Sequence, residues 1–304
     1  MEDMERYKHL NEYLKEKFGE RTLKICVDGG FTCPNRDGKI GYGGCIYCSE
    51  QGSGELITCK ESIEEQVKHY FTTYRAKRAN KFIVYFQNFT NTYDTVENLK
   101  QKYDSALIDD RIVGLEVGTR PDCINEEIAK LLASYKEKYY VCVELGLQTS
   151  NDEIGKIINR GYTSKQFTEA VEILNKYDID VVAHIMVGLP NETQKNIEDT
   201  VDFINKHKLQ GVKIHSTYVV ENTVLADMYR KGEYKALDLD DYIETLIDIM
   251  VHLNPNLIIH RISGDAPKDI LVAPYWNKHK MWILHGFEKR FIARDLWQGK
   301  FYKE

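Results

Sequence analysis

The chain has no apolar run approaching the roughly 18 residues that a membrane-spanning helix requires. Its opening, Met-Glu-Asp-Met-Glu-Arg, is acidic and lacks the apolar stretch of a secretory signal. Seven cysteines, an odd number at irregular spacings, do not make a disulfide framework and point to a reducing compartment, so the expected location is the cytoplasm. There is no Pro- or Ser-rich linker, no low-complexity tract and no clear internal repeat. No Gly-x-Gly-x-x-Gly follows a strand-like segment, which argues against a dinucleotide-binding fold. A net charge of −6 gives no general attraction for nucleic acid. What remains is 304 residues of ordinary globular composition, enough for one large α/β domain or a domain with an extension.

One short stretch, Gly29–Cys48, carries most of the chemistry. Cys33 is followed by eleven residues, then Cys45, two residues, then Cys48. Three thiolates can hold three irons of a 4Fe–4S cluster and leave the fourth open to a ligand from outside the protein. The interspersed glycines allow the tight turns needed to bring three sulfurs around one cube. A zinc ion would want a fourth protein ligand, usually from a second Cys-x-x-Cys or a His pair. The nearest histidines are His9 and His69. Cys26 could complete a four-cysteine set, but it sits in the strand-like run Leu23–Val27, where a buried structural role is expected. The iron–sulfur reading is preferred. Cys26, Cys59, Cys123 and Cys142 do not form a second ferredoxin-like set, so one cluster is expected.

From about Thr22, short apolar, β-branched runs alternate with helical patterns. The expected strands are Thr22–Val27, Phe82–Phe86, Ile112–Val117, Tyr139–Leu145, Val181–Val187 and Val212–Val219. Apolar stripes at helical spacing lie between or after them: Ile63, Val67, Phe71, Tyr74; Ile128, Leu131, Leu132, Tyr135; Phe167, Ala170, Val171, Leu174; Ile197, Val201, Ile204. A further helix is expected through Ile243, Leu246, Ile247 and Met250. Six strand-then-helix units imply parallel strands with helices outside. Glycines and polar residues cluster at the C-terminal strand ends, where a β/α barrel builds its chemistry. Six units fall short of a closed barrel. The expected fold class is therefore α/β, a partial (β/α)6 TIM-like barrel over residues 22–230, with a helical N-terminal extension (1–21) and a C-terminal extension (231–304).

The C-terminal segment is basic. Between Lys278 and Lys303, seven Lys or Arg stand against Glu288 and Asp295, interleaved with Trp282, Phe287, Phe291, Trp297 and Tyr302. Such a mixture can meet phosphates and stack on bases. It also fits an amphipathic helix with its aromatics on the core and its charges in water, the reading slightly preferred.

The motifs together resemble the radical S-adenosylmethionine (SAM) superfamily, and more narrowly its YtqA/YhcC-like branch, related to the elongator catalytic subunit and oxygen-independent coproporphyrinogen oxidase. The segments that carry this are Asp28–Gly38, Gly44–Cys48, Tyr85–Tyr93, Gly118–Asp122, Val143–Thr149, Asn159–Thr163 and Met186–Pro190, in order across most of residues 22–220. Eleven residues between the first two cysteines is longer than the common superfamily spacing and is a feature of this branch. The resemblance implies a fold of the radical SAM type and a 4Fe–4S cluster on Cys33, Cys45 and Cys48. It implies SAM bound through its methionyl group at the open iron and cleaved to a 5′-deoxyadenosyl radical. It further implies Tyr47 near the adenine, Asn88 at the methionyl amine, and Glu116 and Gln148 toward the ribose and SAM backbone. Arg160 would pair with the SAM carboxylate, His184 would face the ribose, and Val187 and Gly188 would offer backbone to the adenine edge. Arg120 and Asp122 could instead hold each other across a turn.

Substrate is expected above the barrel mouth, near Lys213, His215 and Tyr218 and near Arg261, which could hold a phosphate or carboxylate. The branch is associated with maturation of the tRNA wobble uridine, from 5-carboxymethylaminomethyl-2-thiouridine towards aminomethyl and methylaminomethyl forms. That implies tRNA as partner, an electron donor such as flavodoxin or ferredoxin, a methylase in the same pathway, and no membrane. The alternatives are a radical SAM enzyme acting on a small molecule and a zinc-stabilised nucleic-acid-binding module without catalysis.

Overall fold

Period-two alternation within each strand decides the architecture of this chain. The computed structural model describes residues 6–50, 52 and 61–303; Cys59 lies outside them. The strands are β1 (Thr22–Val27), β2 (Lys81–Phe86), β3 (Ile112–Thr119), β4 (Tyr140–Gln148), β5 (Asp180–Val187), β6 (Gly211–Ser216), β7 (Val219–Val220), β8 (Ile258–Arg261) and β9 (Leu271–Ala273). A seven-stranded sheet runs in the order β1-β2-β3-β4-β5-β6-β8, and β7 pairs with β9 in a separate two-stranded ribbon. Every neighbour pair in the large sheet is parallel. The sheet curls into a half-barrel of the radical SAM type.

Along these strands Ile25, Val84, Leu115, Val143, Ile185 and Ile214 point outward into one apolar core. The alternate positions Lys24, Tyr85, Glu116, Glu144, His184 and Lys213 point into the lumen. The outer face is covered by α2 (Ile63–Thr72), α3 (Val96–Asp104), α4 (Glu126–Ser134), α6 (Ser164–Lys176), α7 (Gln194–Asn205) and α9 (Leu239–His252). Their starts are fixed by side-chain caps; Thr163 with Gln166 and Thr193 with Asn196 close reciprocal capping boxes on α6 and α7.

The partial barrel is as expected, with one strand more. β8 lies in the segment taken as a C-terminal extension, and it supplies the seventh parallel strand. That segment is therefore woven into the barrel. The predicted strand Val212–Val219 divides at Thr217, its tail forming β7. Tyr74 lies beyond the end of α2 and is 79% exposed, so it does not extend that helix's apolar stripe. The open edge between β1 and β8 is crossed by α1 (Leu10–Phe18), whose preceding residue His9 bridges Ile259.

The basic segment forms α10 (Lys280–Ala293). Phe287 and Phe291 are buried in the core, whereas Trp282 and Trp297 are exposed. Arg290 and Arg294 pair with Glu244 on α9, and Arg290 also with Asp240. Two of the cations counted towards a phosphate-binding face are thus matched within the protein. Among the described residues no helix is long and apolar enough to cross a membrane.

Candidate functional site

The loop after β1 folds back on itself around the three cysteines. The Arg36 and Asp37 amides donate to the Cys33 carbonyl (2.8 and 3.2 Å), and the Cys48 amide donates to the Cys45 carbonyl (3.0 Å). Gly43 and Gly44 adopt φ of 82° and 78°, two consecutive left-handed residues that set the direction of Cys45. The loop is stapled to the turn after the short helix α5 (Asp152–Ile157). Asn35 Nδ2 donates to the Asn159 carbonyl (2.6 Å), and Asn159 Nδ2 donates to the Gly44 carbonyl (2.7 Å).

Cys33 lies close enough to raise the proton affinity of Cys45, and Cys45 and Cys33 that of Cys48. Burial pushes the Cys48 thiol up to about 12, with Arg36 opposing it. Burial raises Cys45 too, with Arg120 opposing. Arg120 Nη1 lies 3.9 Å from Cys33 Sγ. Among the described residues, the trio of Cys, His, Asp or Glu ligand atoms that all lie within 4.8 Å of one another is Glu116, Glu144 and His260, not the cysteines. A single zinc would draw its sulfurs to about 3.8 Å from one another. Three half-buried thiols, more widely spaced and flanked by two guanidinium groups, fit the larger and more anionic 4Fe–4S cluster.

Cys48 and Tyr47 line a cavity of about 560 Å³. His184, Lys213, His215, Tyr218 and Arg261 line the same cavity, so the structure brings together every residue expected at the substrate and two of those expected at SAM. The volume lies within the ordinary range for small-ligand sites. Tyr47 bonds through its hydroxyl to Cys45, and burial holds the phenol well above its ordinary value.

The polar floor of the cavity was not foreseen. Lys24 pairs with Glu116; Lys213 Nζ donates to Glu144 Oε2 (2.7 Å) and to the Tyr85 hydroxyl (3.2 Å); Tyr85 donates to the same carboxylate oxygen (2.5 Å). The side chains of Glu116 and Glu144 are 1% and 3% exposed. Burial and the Glu144 charge raise Glu116 to about 8, against the pull of Lys24. Lys213 and Lys24 hold Glu144 well below the carboxylate range in spite of its burial. At the trio with His260 the lysine ammonium groups already supply the positive charge.

Several residues expected at SAM have partners within the protein. Glu116 pairs with Lys24, which lines the cavity, and is not itself among the lining residues. Arg160 is fully buried. Its guanidinium donates to the carbonyls of Tyr162 (3.0 Å), Leu147 (2.5 Å) and Thr149 (2.6 Å) and to Asp152 Oδ1 (2.8 Å). A carboxylate of SAM would have to displace those bonds; the arginine instead ties α5 to the end of β4. The Gly188 amide donates to Glu192 Oε2 (2.8 Å) and its carbonyl accepts from the Tyr234 hydroxyl (2.7 Å). The Val187 carbonyl accepts from the Thr217 amide (2.8 Å). Gln148, at φ 58°, accepts a bond from the Tyr162 hydroxyl (2.6 Å). Asn88 is buried beyond β2 and donates to Asp28 Oδ2 (3.0 Å). Cys26 is not buried: it is exposed within the cavity. Arg120 and Asp122 do hold each other, by two bonds of 2.9 and 2.8 Å.

The model of the radical SAM superfamily matches residues 33–204 of this chain, and that of the radical SAM C-terminal domain matches residues 209–292. The chain belongs to the radical SAM superfamily. It is 37% identical over 306 aligned positions to the YtqA protein of Bacillus subtilis (strain 168), covering 98% of this chain and 93% of that one. It is 27% identical over 187 positions to Elongator complex protein 3 of Homo sapiens, covering 60% of this chain but 32% of the relative. In fold it is similar to the archaeal Methanocaldococcus infernus Elp3 with an N-terminal deletion, with a TM-score of 0.67 at 18% identity, covering 91% of this chain and 64% of that one. The protein is a radical SAM enzyme, and the superfamily's cofactors are a 4Fe–4S cluster and SAM. The zinc-stabilised module without catalysis falls with that finding.

Lys24, Arg75, Tyr85, Asp265 and Lys280 also line the cavity and were not picked out from sequence as site residues. For Lys24 the signal was present: a lysine inside the alternating strand Thr22–Val27, on the same face as Cys26.

Proposed function

We propose that this radical SAM enzyme acts on the wobble uridine of tRNA, taking the 5-carboxymethylaminomethyl-2-thiouridine side chain towards its aminomethyl form. The observation that carries the reading is the cavity itself. It is lined both by Cys48 and by Lys280, the first residue of α10, and near Lys280 in the chain are the exposed rings of Tyr275 and Trp282. His279 stacks on Trp282 with ring centroids 4.2 Å apart. Exposed rings next in the chain to a lysine that lines a cationic cavity suit a base that must leave its stack to be acted upon.

When bound, the cluster and SAM supply a 5′-deoxyadenosyl radical able to take hydrogen from an unactivated carbon. Cys33, Cys45 and Cys48 hold the cluster, with Arg36 and Arg120 balancing its charge. Tyr47 and His184 border the SAM side, with Asn88 and Gln148 shaping the adjoining strand ends. Lys213, His215, Tyr218 and Arg261 orient the substrate. The N-terminal helix α1 closes the open edge, the barrel strands hold the cofactors, and β8 with α10 walls the substrate side. In this reading the enzyme works in the cytoplasm, draws electrons from a flavodoxin or ferredoxin, and hands its product to a methylase.

A small-molecule substrate is the second reading, favoured by the overall negative charge and by the internal pairing of Arg290 and Arg294. The test is incubation of the reconstituted enzyme, SAM and reductant with tRNA from cells lacking the protein. Loss of the carboxymethylaminomethyl nucleoside and gain of the aminomethyl nucleoside supports the tRNA reading; an unchanged nucleoside profile defeats it.

A further inference from the structure

The charges that line the cavity do not all belong to the protein's own pairs. Lys24 and Lys213 are matched by Glu116 and Glu144. On the wall formed by β8, where Arg261 is the register neighbour of Lys213, Arg261 Nη2 lies 3.1 Å, and Lys280 Nζ 3.2 Å, from the two oxygens of one carboxylate, Asp265. Two cations thus share one anion. Arg261 makes no side-chain hydrogen bond to another acceptor among the described residues, so its remaining donors face the cavity. Arg75 lines the same space and has no ion pair among the described residues. Among the described residues this wall carries a net positive charge that no further ion pair cancels.

Two imidazoles sit beside it, their rings 5.3 Å apart. His215 Nδ1 lies 2.9 Å from the Ser216 carbonyl, an acceptor only, so Nδ1 carries the proton and Nε2 keeps its lone pair. His184 Nε2 is buried and has no hydrogen-bond partner among the described residues. Burial and neighbouring cations hold both rings in the neutral form, His215 down to about 3 through burial and Arg261. The cavity thus offers a cationic clamp for an anion and, next to it, neutral nitrogens able to accept from an N–H.

We infer that Arg261 and Lys280 bind the carboxylate, and His215 the amine, of an N-substituted glycine arm on the substrate. The inference rests on the proposed tRNA reading for the identity of the arm's carrier, but the site itself requires only the arm. A secondary amine and a carboxylate separated by one carbon need donors and acceptors side by side, and this wall provides both. A side chain lacking the carboxylate would leave Arg261 and Lys280 with an unbalanced charge, so a product without it should leave.

The test uses full-length reconstituted enzyme with SAM and titration calorimetry under anaerobic conditions. One pair of probes is an anticodon stem-loop carrying 5-carboxymethylaminomethyl-2-thiouridine and the same stem-loop carrying 5-aminomethyl-2-thiouridine. The second pair is N-benzylglycine and benzylamine, which differ by the same group without any RNA. The wild type should bind the carboxylate-bearing member of each pair at least about tenfold more tightly, as a charge-assisted contact implies. Arg261→Gln should remove that preference. Lys280→Gln, at the exposed start of α10 where folding is not at stake, should weaken it. Lys289→Gln, on the exposed face of α10, should leave it intact. Equal binding within both pairs by the wild type, or a full preference in Arg261→Gln and Lys280→Gln, overturns the inference. If N-benzylglycine is preferred through Arg261 but neither stem-loop binds, the site stands and the tRNA reading falls. If both stem-loops bind alike and N-benzylglycine is not preferred, the tRNA reading stands and the site falls.

Discussion

Replacing Lys213 with Met would leave Glu144 as a buried carboxylate stripped of its main partner. The Lys213 side chain is 9% exposed and that of Glu144 3%, and their 2.7 Å contact lies within the barrel lumen. Removing one member of such a pair typically costs about 3–5 kcal/mol, because the surviving charge stays out of water. Lys24, 3.5 Å from the other Glu144 oxygen, supplies partial compensation, which places the expected cost near the lower end, about 3 kcal/mol. Lys213→Met/Glu144→Gln removes both charges and should recover most of that loss. The assay is urea unfolding of wild type, both single variants and the double variant, followed by far-UV circular dichroism under reducing conditions. A coupling energy above about 1.5 kcal/mol is expected for a direct buried pair. A Lys213→Met variant as stable as wild type, or a double variant no better than the sum of the singles, would refute the reasoning.

Arg160→Ala should act on folding, since it strands the buried carbonyls of Leu147 and Thr149 together with Asp152. A loss of about 3 kcal/mol in urea unfolding is expected, and a variant of normal stability with weakened SAM binding would restore the arginine to a cofactor role. Burial raises Glu192 to about 7, against the pull of the Gly188 and Leu189 amides. A carboxyl raised in the folded state contributes stability fully below its unfolded value of 4.5 and loses it as pH climbs through about 7. The stability of wild type relative to Glu192→Gln should therefore fall by up to about 3 kcal/mol between pH 4.5 and pH 8, and a flat difference would show the carboxyl to be solvated.

The strands were legible because each is a short apolar run whose alternate residues face different surroundings. Ile25 and Val84 enter the core, while Lys24 and Tyr85 enter the lumen. β8 escaped because it has only four residues, and His260 and Arg261 made it look like a site rather than a strand. The cysteine loop was legible from spacing alone, since ligand count is a property of the sequence. Arg160 was not: three of its partners are backbone carbonyls, and carbonyls leave no trace in side-chain identity. Nor did the sequence display the pairing of Arg290 and Arg294 with Glu244, which brings together residues some fifty positions apart. The cation pair on Asp265 combines a β8 residue with the first residue of α10, so only the folded chain shows it.

The central claim is that three cysteines, and no other protein group, hold one 4Fe–4S cluster that opens SAM. It is tested most directly by measuring iron, sulfide and zinc after anaerobic reconstitution, with SAM cleavage under reductant measured on the same samples. About four irons and four sulfides per chain are expected in wild type and in the Cys26→Ala, Cys123→Ala and Cys142→Ala variants. Cys33→Ala, Cys45→Ala and Cys48→Ala should each lose the cluster and SAM cleavage together. One zinc and no iron in the wild type, or an intact cluster after loss of Cys33, would contradict the account.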